Sequence, residues 1–192
     1  MKKFTLLTAV ILLVSLLPSA VQPVAFGASC TTTLSAGADI QAAINAASPG
    51  AVICLSPGLY TPAATINVNL PVTIQGPQAG VDPRPSLGSM RTAGSGDEAI
   101  VDGGGSLSNI FNFYANDIIL DGLEVRNGTG DLITSSSSSM QYRPIVRYSM
   151  VHDSTGDEGI QLKEVTDAVI EYNHVFATTG DGINIGYDSS GG

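Results

Sequence analysis

The residues best suited to chemistry in this chain are acidic side chains that follow a repeated glycine. The tripeptide Thr-Gly-Asp occurs three times, at residues 129–131, 155–157 and 179–181. In the second copy Glu158 follows Asp157 directly, and Asp181 closes the third copy. Paired carboxylates can act as general acid and general base on a glycosidic bond. Carboxylates on successive turns of a chain can also bind Ca²⁺, with an acidic sugar bridging to the ion.

A structural role competes with these chemical ones. Asp and Gly are common in turns, because Asp bonds to its own backbone and Gly tolerates left-handed backbone. The three aspartates recur with a fixed period, as the turn residues of a repeat must. The period therefore favours a role in turns for Asp157 and Asp181, and catalysis is the alternative.

Histidine and methionine supply a second set of candidates. His152 and Asp153 form a potential acid/base pair near neutral pH. Met150, His152 and His174 are ligand types that copper accepts, although the chain contains only two histidines. An exposed position on the surface of a sheet is the alternative for each of these side chains.

The spacing of the acidic motifs defines the architecture that has to position them. The copies start at residues 129, 155 and 179, so the spacings are 26 and 24 residues. A period in this range is typical of solenoids, in which each repeat buries its apolar face against its neighbours. Apolar residues alternate with polar ones in each repeat, which indicates short strands joined by turns. We therefore predict an all-β solenoid.

Placing the repeats in register predicts which side chains stack on one another. Two columns should point inward and form the core: Leu120, Val146 and Ile170, and Val125, Val151 and Val175. Three columns should point outward: Asp121, Arg147 and Glu171; Glu124, Met150 and His174; and Arg126, His152 and Phe176. The first of these alternates in charge and predicts a solvated ladder of ion pairs, each contributing roughly 0.2–1 kcal/mol. The column of Leu123, Ser149 and Asn173 should lie at a bend, where polar side chains can bond to turn backbone.

The stacked pattern, with Asp-Gly-Ile at 181–183 and its variant Asp-Glu-Gly-Ile at 157–160, resembles the repeat of the pectin-lyase-like superfamily. The resemblance covers about residues 35–190. It implies a right-handed parallel β-helix. That superfamily includes polysaccharide lyases and hydrolases, epimerases, surface adhesins and periplasmic copper-pathway proteins, so the resemblance specifies the fold more closely than the activity.

The resemblance also implies roles for particular residues. In lyase-like chemistry an arginine or lysine acts as base on a calcium-bound uronate, and Arg126, Arg147 and Lys163 are available near the carboxylates. Pectin hydrolases carry an Asn-Thr-Asp motif followed by Gly-Asp-Asp. Residues 156–158 resemble the second motif and residues 179–181 the first, in reversed order. The catalytic candidates are Asp157, Glu158, Asp181, His152 and Arg147, and the candidate Ca²⁺ ligands are Asp157 and Asp181.

The N-terminal part carries targeting and capping signals. Residues 1–27 contain two lysines, an apolar run and then small residues, which is typical of a secretory signal peptide. In an exported chain the only two cysteines, Cys30 and Cys54, predict a disulfide, with buried thiols as the alternative. Residues 39–47 predict an amphipathic helix. We assign this helix, within residues 28–60, to an N-terminal cap of the β-helix.

Residues 61–192 are assigned to the coils of the β-helix. Residues 77–97 are rich in Pro and Gly and predict a long loop, which is either the wall of a ligand groove or an excursion between coils. Five serines at 135–139 predict either a flexible loop or an outward strand face. The chain ends after a strand with no second capping element, so we expect further coils or domains C-terminal to residue 192.

The charge of the chain limits its partners. A net charge of −9 and a pI near 4.3 argue against nucleic acid, because binding it needs a basic surface. The same charge is compatible with neutral glycans, or with acidic glycans bridged by Ca²⁺, the one cofactor that the carboxylates suggest. Beyond the signal peptide, no segment has the length and apolarity of a transmembrane span.

These observations predict a secreted, periplasmic or cell-surface β-helix module. We expect it to interact with extracellular polysaccharide or to act as an adhesin-type scaffold. The alternatives are a polysaccharide lyase or glycoside hydrolase and, with less support, a periplasmic copper-pathway protein.

Overall fold

The chain folds into a parallel β-solenoid of about six turns. The computed structural model describes residues 29–186, so the predicted signal peptide and the end of the chain lie outside the described residues. In successive turns the chain passes through three sheets, whose strands pair in parallel with those of the neighbouring turns. The prediction of an all-β solenoid is confirmed.

Three sheets run along the solenoid and are named here in the order in which the chain enters them. In spatial order, the first sheet consists of β1 (Thr32–Leu34), β2 (Val52–Leu55), β5 (Thr73–Gln75), β8 (Ile119–Asp121), β12 (Ile145–Arg147) and β16 (Val169–Glu171). The second sheet consists of β3 (Gly58–Tyr60), β6 (Ala99–Asp102), β9 (Glu124–Gly128), β13 (Met150–Ser154) and β17 (His174–Thr178). The third sheet consists of β4 (Ile66–Val68), β7 (Phe111–Phe113), β10 (Ile133–Ser135), β14 (Ile160–Leu162) and β18 (Ile183–Ile185). A small two-stranded sheet pairs β11 (Gln141–Tyr142) with β15 (Val165–Thr166).

The core consists of inward-facing apolar side chains that stack from turn to turn. Val146 pairs with both Leu120 and Ile170 in the first sheet, and Val151 pairs with both Val125 and Val175 in the second. Both predicted core columns are therefore confirmed. The third sheet adds a further inward layer, which includes Phe111, Phe113, Ile133, Ile160 and Leu162, all buried.

The corner between the first and second sheets uses left-handed backbone in successive turns. The residues at this position are Gly122, Tyr148 and Tyr172, with φ of 70°, 49° and 52°. Gly122 is required there for a second reason, since a Cβ would lie 2.1 Å from the backbone nitrogen of Ala79 in the long loop. At the adjacent bend the predicted polar column forms as expected: the N–H of Ser149 donates to Asn173 Oδ1 at 2.9 Å.

The long loop, residues 77–97, packs on the outer face of the second sheet. It contains a short 3-10 helix, Pro85–Leu87. An ion pair anchors the loop: Arg91 Nη2 lies 2.7 Å from Glu98 Oε2, and the two side chains are only 4% and 1% exposed. Arg91 also donates to the carbonyl oxygen of Tyr148 at 2.5 Å. The loop is thus a packed element that couples several coils.

The long loop bonds to buried members of the outward columns of the first two sheets. Asp121, Glu124, Met150 and His152 are all buried. The N–H of Gly80 donates to Asp121 Oδ1, and the N–H of Gly94 donates to Glu124 Oε2. The expected pairing nevertheless forms across the first sheet, where Arg147 Nε donates to Asp121 Oδ2 at 2.9 Å. The registers were right, but Asp121 and His152 are buried rather than exposed, whereas Arg147 and Glu171 are half-buried.

A helix and a disulfide lie in the first part of the described chain. Helix α1 (Ile40–Ala46) begins after Asp39, whose carboxylate accepts the N–H of Ala42 at 3.0 Å. Its Ile40 and Ile44 are buried in the core. The predicted disulfide is confirmed: Cys30 is bonded to Cys54 on β2. Within residues 29–186, no helix has the length and apolarity needed to cross a membrane.

We expect the disulfide to contribute about 3 kcal/mol of stability, because it closes a loop with a sequence separation of 24 in the unfolded chain. Replacing both Cys30 and Cys54 by Ser should lower the free energy of unfolding by about this amount in a guanidinium titration. A loss below about 0.5 kcal/mol would show that the bond does not restrain the unfolded chain in this way.

The buried ion pair of the loop gives a second prediction. Arg91→Met should destabilise the protein by about 3–5 kcal/mol, because Glu98 is left buried without its partner charge. The double variant Arg91→Met/Glu98→Gln should lose less, since no uncompensated charge remains. Urea unfolding of the single and double variants measures the difference. If the double variant lost as much as the single one, the unpaired charge would not be the cause.

Candidate functional site

The three Thr-Gly-Asp copies lie at the corner between the second and third sheets. The first copy follows β9 and precedes β10, and the second occupies the same place between β13 and β14. Successive coils touch here through their backbones, since a Cβ on Gly156 would lie 1.8 Å from the carbonyl oxygen of Thr129. The glycine of the motif is therefore required by close stacking, which also fixes where the following carboxylates stand.

The second copy contains one residue more than the other two. Ile160 pairs with both Ile133 and Ile183, so the third-sheet strands give a common reference for all three copies. Two residues separate the motif glycine from that isoleucine in the first and third copies, and three in the second. Counted back from the strands, Glu158 therefore occupies the position of Asp131, and Asp157 is an additional carboxylate at this corner.

The corner carboxylates, defined here as Asp131, Asp157 and Glu158, form a cluster. One oxygen from each lies within 4.8 Å of the others. Asp131 and Glu158 are 7% and 8% exposed, whereas Asp157 is exposed to solvent. Lys163 adds a positive charge, with Nζ 3.6 Å from Asp131 Oδ2. The structure thus joins two of the predicted site residues to Asp131, while Asp181, exposed on the next coil, is not in the cluster.

Two oxygens of the corner carboxylates are buried without a hydrogen-bond partner among residues 29–186. These atoms are Asp131 Oδ1 and Glu158 Oε2. Burying an acceptor without a partner is costly, and almost all buried polar groups in folded proteins are paired. The arrangement is therefore suited to receiving a positively charged or hydrogen-donating group.

A polar groove of about 290 Å³ lies beside this corner, on the outer face of the third sheet. Its lining consists of Asn109, Asn112, Tyr114, Asp131, Thr134, Lys163 and the serines at 135–138. Asn112 and Thr134 pair across neighbouring strands and belong to an outward polar column with Asn67, Gln161 and Asn184. The groove presents amide, hydroxyl, carboxylate and ammonium groups together with one exposed aromatic ring.

The amide of Asn112 is the most informative group in the groove. Its Nδ2 donates to the hydroxyl of Tyr114 at 3.0 Å. Its Oδ1 is buried and accepts no hydrogen bond from any described residue. Two coils further on, Gln161 Oε1 is also buried and accepts no hydrogen bond from the described residues. The third sheet therefore carries unused hydrogen-bonding capacity on its outer face.

The serine run forms one wall of this groove. Ser135 ends β10 with its side chain buried, and its hydroxyl donates to the carbonyl oxygen of Lys163 at 2.6 Å. The hydroxyls of Ser136 and Ser138 lie 2.7 Å apart. The run therefore begins at the end of β10 with Ser135 and Ser136 buried, and continues as a turn whose residues 137–139 are exposed.

His152 and Arg147 lie away from the groove. His152 Nδ1 is 2.9 Å from Asp153 Oδ2, and Nε2 is 3.2 Å from Glu124 Oε1, with the ring stacked on Phe176. Arg147 pairs with Asp121 on the first sheet. Both side chains therefore connect neighbouring coils, and both ring nitrogens of His152 already have carboxylate partners.

The same contacts do not favour the predicted copper binding by Met150, His152 and His174. Both ring nitrogens of His152 have carboxylate partners, and Met150 is 2% exposed. His174 stacks on Phe176 at a centroid distance of 4.4 Å. A copper ion would have to displace two hydrogen bonds of His152, so this geometry does not favour metal binding by these three residues.

The pKa values of the buried pair His152 and Glu124 are both shifted. Burial disfavours the imidazolium, but the hydrogen bonds to Glu124 and Asp153 outweigh it and raise the pKa of His152. Burial likewise disfavours the carboxylate of Glu124, and the hydrogen bonds from His152 and Gly94 outweigh it and lower its pKa. Both shifts favour the charged forms, so the two side chains form an ion pair when His152 is protonated.

Sequence reasoning missed Asp131 and Asn112 as site residues. Aligning the repeats on Thr-Gly-Asp places Asp131 with Asp157 and conceals the extra residue. Aligning them on the isoleucines that begin the third-sheet strands would have revealed it. Asn112 gives no comparable signal, since an asparagine on an outward strand position is common.

Comparison with known proteins does not assign the chain to a family. No protein-family model, curated protein or solved structure matches the chain. The parallel solenoid is a property of the structure, whereas membership of the pectin-lyase-like superfamily stays a prediction.

The raised pKa of His152 predicts a pH dependence of stability. A base whose pKa is raised on folding stabilises the protein fully below its unfolded pKa of about 6.5 and loses this contribution as pH rises through the folded pKa. The free energy of unfolding should therefore fall above pH 6.5, by at most about 1.4 kcal/mol per pH unit for one proton.

Urea unfolding at several pH values measures this slope. His152→Gln should flatten the profile above pH 6.5. His174→Gln is the matched control: burial and repulsion by His152 lower the pKa of His174, so its contribution changes below pH 6.5. An unchanged slope in His152→Gln would contradict the assignment.

Proposed function

We propose that the protein is a glycan-binding β-solenoid that holds a polysaccharide in the groove of its third sheet. The observation that carries this proposal is the buried, unpartnered Asn112 Oδ1 in a groove lined by polar side chains. A sugar presents many hydroxyl groups, each of which can donate a hydrogen bond. Bound hydroxyls would satisfy acceptors that the residues described here leave unpaired.

The repeat of the sheet suits a linear polymer. Neighbouring parallel strands lie about 4.8 Å apart, so the outward column presents a polar side chain at each step along the solenoid axis. The column runs through Asn67, Asn112, Thr134, Gln161 and Asn184. An extended chain lying along this axis would meet similar groups at regular intervals.

The composition of the groove suits a sugar better than an apolar ligand. Tyr114 is 45% exposed and offers a ring face for the apolar side of a sugar, while its hydroxyl is held by Asn112. Lys163 gives the groove one positive charge beside the corner carboxylates. This mixture supports a neutral or mildly acidic glycan, in agreement with the acidic net charge of the chain.

The proposal places the protein outside the cytoplasm, as a secreted, periplasmic or surface module of the pectin-lyase-like type. The predicted signal peptide supports this location, and the disulfide Cys30–Cys54 is compatible with it. We further propose that α1 caps the first coil, because its buried Ile40 and Ile44 cover apolar core at that end. A scaffold role on a surface would use the same groove.

A polysaccharide-cleaving enzyme is the second candidate, and one observation favours it. Of the three basic residues considered as catalytic bases, Lys163 contacts the corner carboxylates, whereas Arg126 pairs with Asp102 and Glu124, and Arg147 pairs with Asp121. Lys163 would be the base in a β-elimination on an acidic sugar. Asp157 and Glu158 would be the acid and base in a hydrolysis.

Affinity electrophoresis against a panel of neutral and acidic polysaccharides tests the main proposal. The intact protein should be retarded by at least one of them. Asn112→Ala should weaken that retention by about tenfold or more, equal to about 1.4 kcal/mol. Asn45→Ala, an equivalent truncation on the exposed face of α1, should leave it unchanged.

The same samples separate binding from catalysis. A binding module gives retention without products, whereas an enzyme gives new reducing ends or the ultraviolet absorbance of unsaturated uronates. Unsaturated uronates that disappear in Lys163→Met would establish the lyase, and new reducing ends that disappear in Glu158→Gln would establish the hydrolase. Retention by none of the polysaccharides, with no product formed, would contradict both.

A further inference from the structure

We propose that the corner carboxylates Asp131, Asp157 and Glu158 bind one divalent cation of the calcium class. The inference deepens the proposed function, because the ion would lie at the edge of the glycan groove, and only its link to the glycan rests on that function. Cation binding itself can be measured with no glycan present.

The distances within the cluster suit a single ion. Calcium binds protein oxygens at about 2.3–2.6 Å, so two oxygens on one ion lie at most about 5 Å apart. The three oxygens of the corner carboxylates lie within 4.8 Å of one another, inside that limit. The exposed side of Asp157 leaves room for the water or sugar oxygens that would complete a shell of six to eight ligands.

The buried oxygens supply an independent reason for a cation. Asp131 and Glu158 are both more than nine-tenths buried, and Asp131 Oδ1 and Glu158 Oε2 have no hydrogen-bond partner within residues 29–186. Carboxylates that only serve a turn would be satisfied by backbone N–H groups, as Asp39 is at the start of α1. Here the unsatisfied atoms belong to two carboxylates of the same cluster.

The charge of the corner carboxylates also favours a bound cation. Asp131 faces the ammonium group of Lys163, whose Nζ lies 3.6 Å from Asp131 Oδ2. When ionised, Asp131 and Glu158 place two negative charges away from water. A divalent cation would neutralise them. Lys163 would then compete with the ion for Asp131.

The ligand types identify the class of ion. The cluster contains only carboxylate oxygens and no histidine or cysteine, which selects hard cations over copper or zinc. Calcium accepts irregular shells and bidentate carboxylates, whereas magnesium demands a nearly regular octahedron. A corner built from an inserted residue and two stacked coils has no such regularity, so calcium is the expected ion.

Isothermal titration of the full chain with CaCl₂, after removal of metal with a chelator, tests the proposal. One calcium ion should bind per chain, and thermal unfolding should shift to higher temperature with added calcium. Asp131→Asn and Glu158→Gln should each weaken binding by at least tenfold. Asp181→Asn is the matched control, since it removes the equivalent charge one coil further on, outside the cluster, and should change affinity by less than twofold.

A gain of affinity provides a readout that misfolding cannot imitate. Lys163→Met removes the competing ammonium group and should tighten calcium binding several-fold. Absence of binding at millimolar calcium in the intact protein, or equal loss in Asp181→Asn and Glu158→Gln, would overturn the proposal, as would weaker binding in Lys163→Met.

The outcome can be separated from that of the proposed function. Polysaccharide retention measured with and without chelator reports the glycan site, and titration without polysaccharide reports the ion. Retention without calcium binding would overturn the cation site alone. Calcium binding without retention would support the cation site and contradict the glycan-binding function.

Discussion

The structure depends on one constraint: each coil must stack on the next in fixed register so that the strands of neighbouring coils satisfy one another. A single coil has no sheet of its own, and its hydrogen-bonding partners lie on the neighbouring coils, as in the pairing of Val151 with Val125 and Val175. The core columns follow from the same stacking, since one side chain per coil fills each inward position. The corner glycines follow too, because a side chain at Gly156 would overlap the coil beneath it.

Fixed register also explains how a one-residue difference can build a site. The strands on both sides of the acidic corner pair with their neighbours, Ser154 with Gly128 before it and Ile160 with Ile133 after it. An additional residue between them cannot shift either strand without breaking its pairing and turning its side chains to the opposite face. The corner alone can absorb it. The second repeat therefore presents Asp157 as well as Glu158 beside Asp131, and the third repeat does not.

The sequence predicted the features that repeat from coil to coil. The solenoid, the two core columns, the polar bend at Ser149 and the disulfide all follow from repetition and from residue type, because stacking converts sequence period directly into spatial neighbours. The aperiodic contacts could not be predicted. Glu124, the partner of His152, accepts the N–H of Gly94 in the long loop, and the ion pair of Arg91 with Glu98 lies within a segment that no repeat aligns. Of the candidate site, the adjacent Asp157 and Glu158 were visible in the sequence, whereas Asp131 entered only through the strand register.

The distribution of satisfied and unsatisfied polar groups supports the proposal that ligands bind on the outer face of the third sheet. Beneath the long loop, Glu98 is paired with Arg91, and Glu124 with His152 and Arg126. This fold is thus able to satisfy charged groups even where they are fully buried.

Five buried side-chain atoms in the described residues have no hydrogen-bond partner, and four of them belong to third-sheet strands or to the corner that leads into them: Asn112 Oδ1, Asp131 Oδ1, Glu158 Oε2 and Gln161 Oε1. Random imperfection of packing would scatter such atoms over all three sheets. Their concentration on one face, beside a polar groove, is expected where partners come from bound molecules or ions rather than from the chain itself.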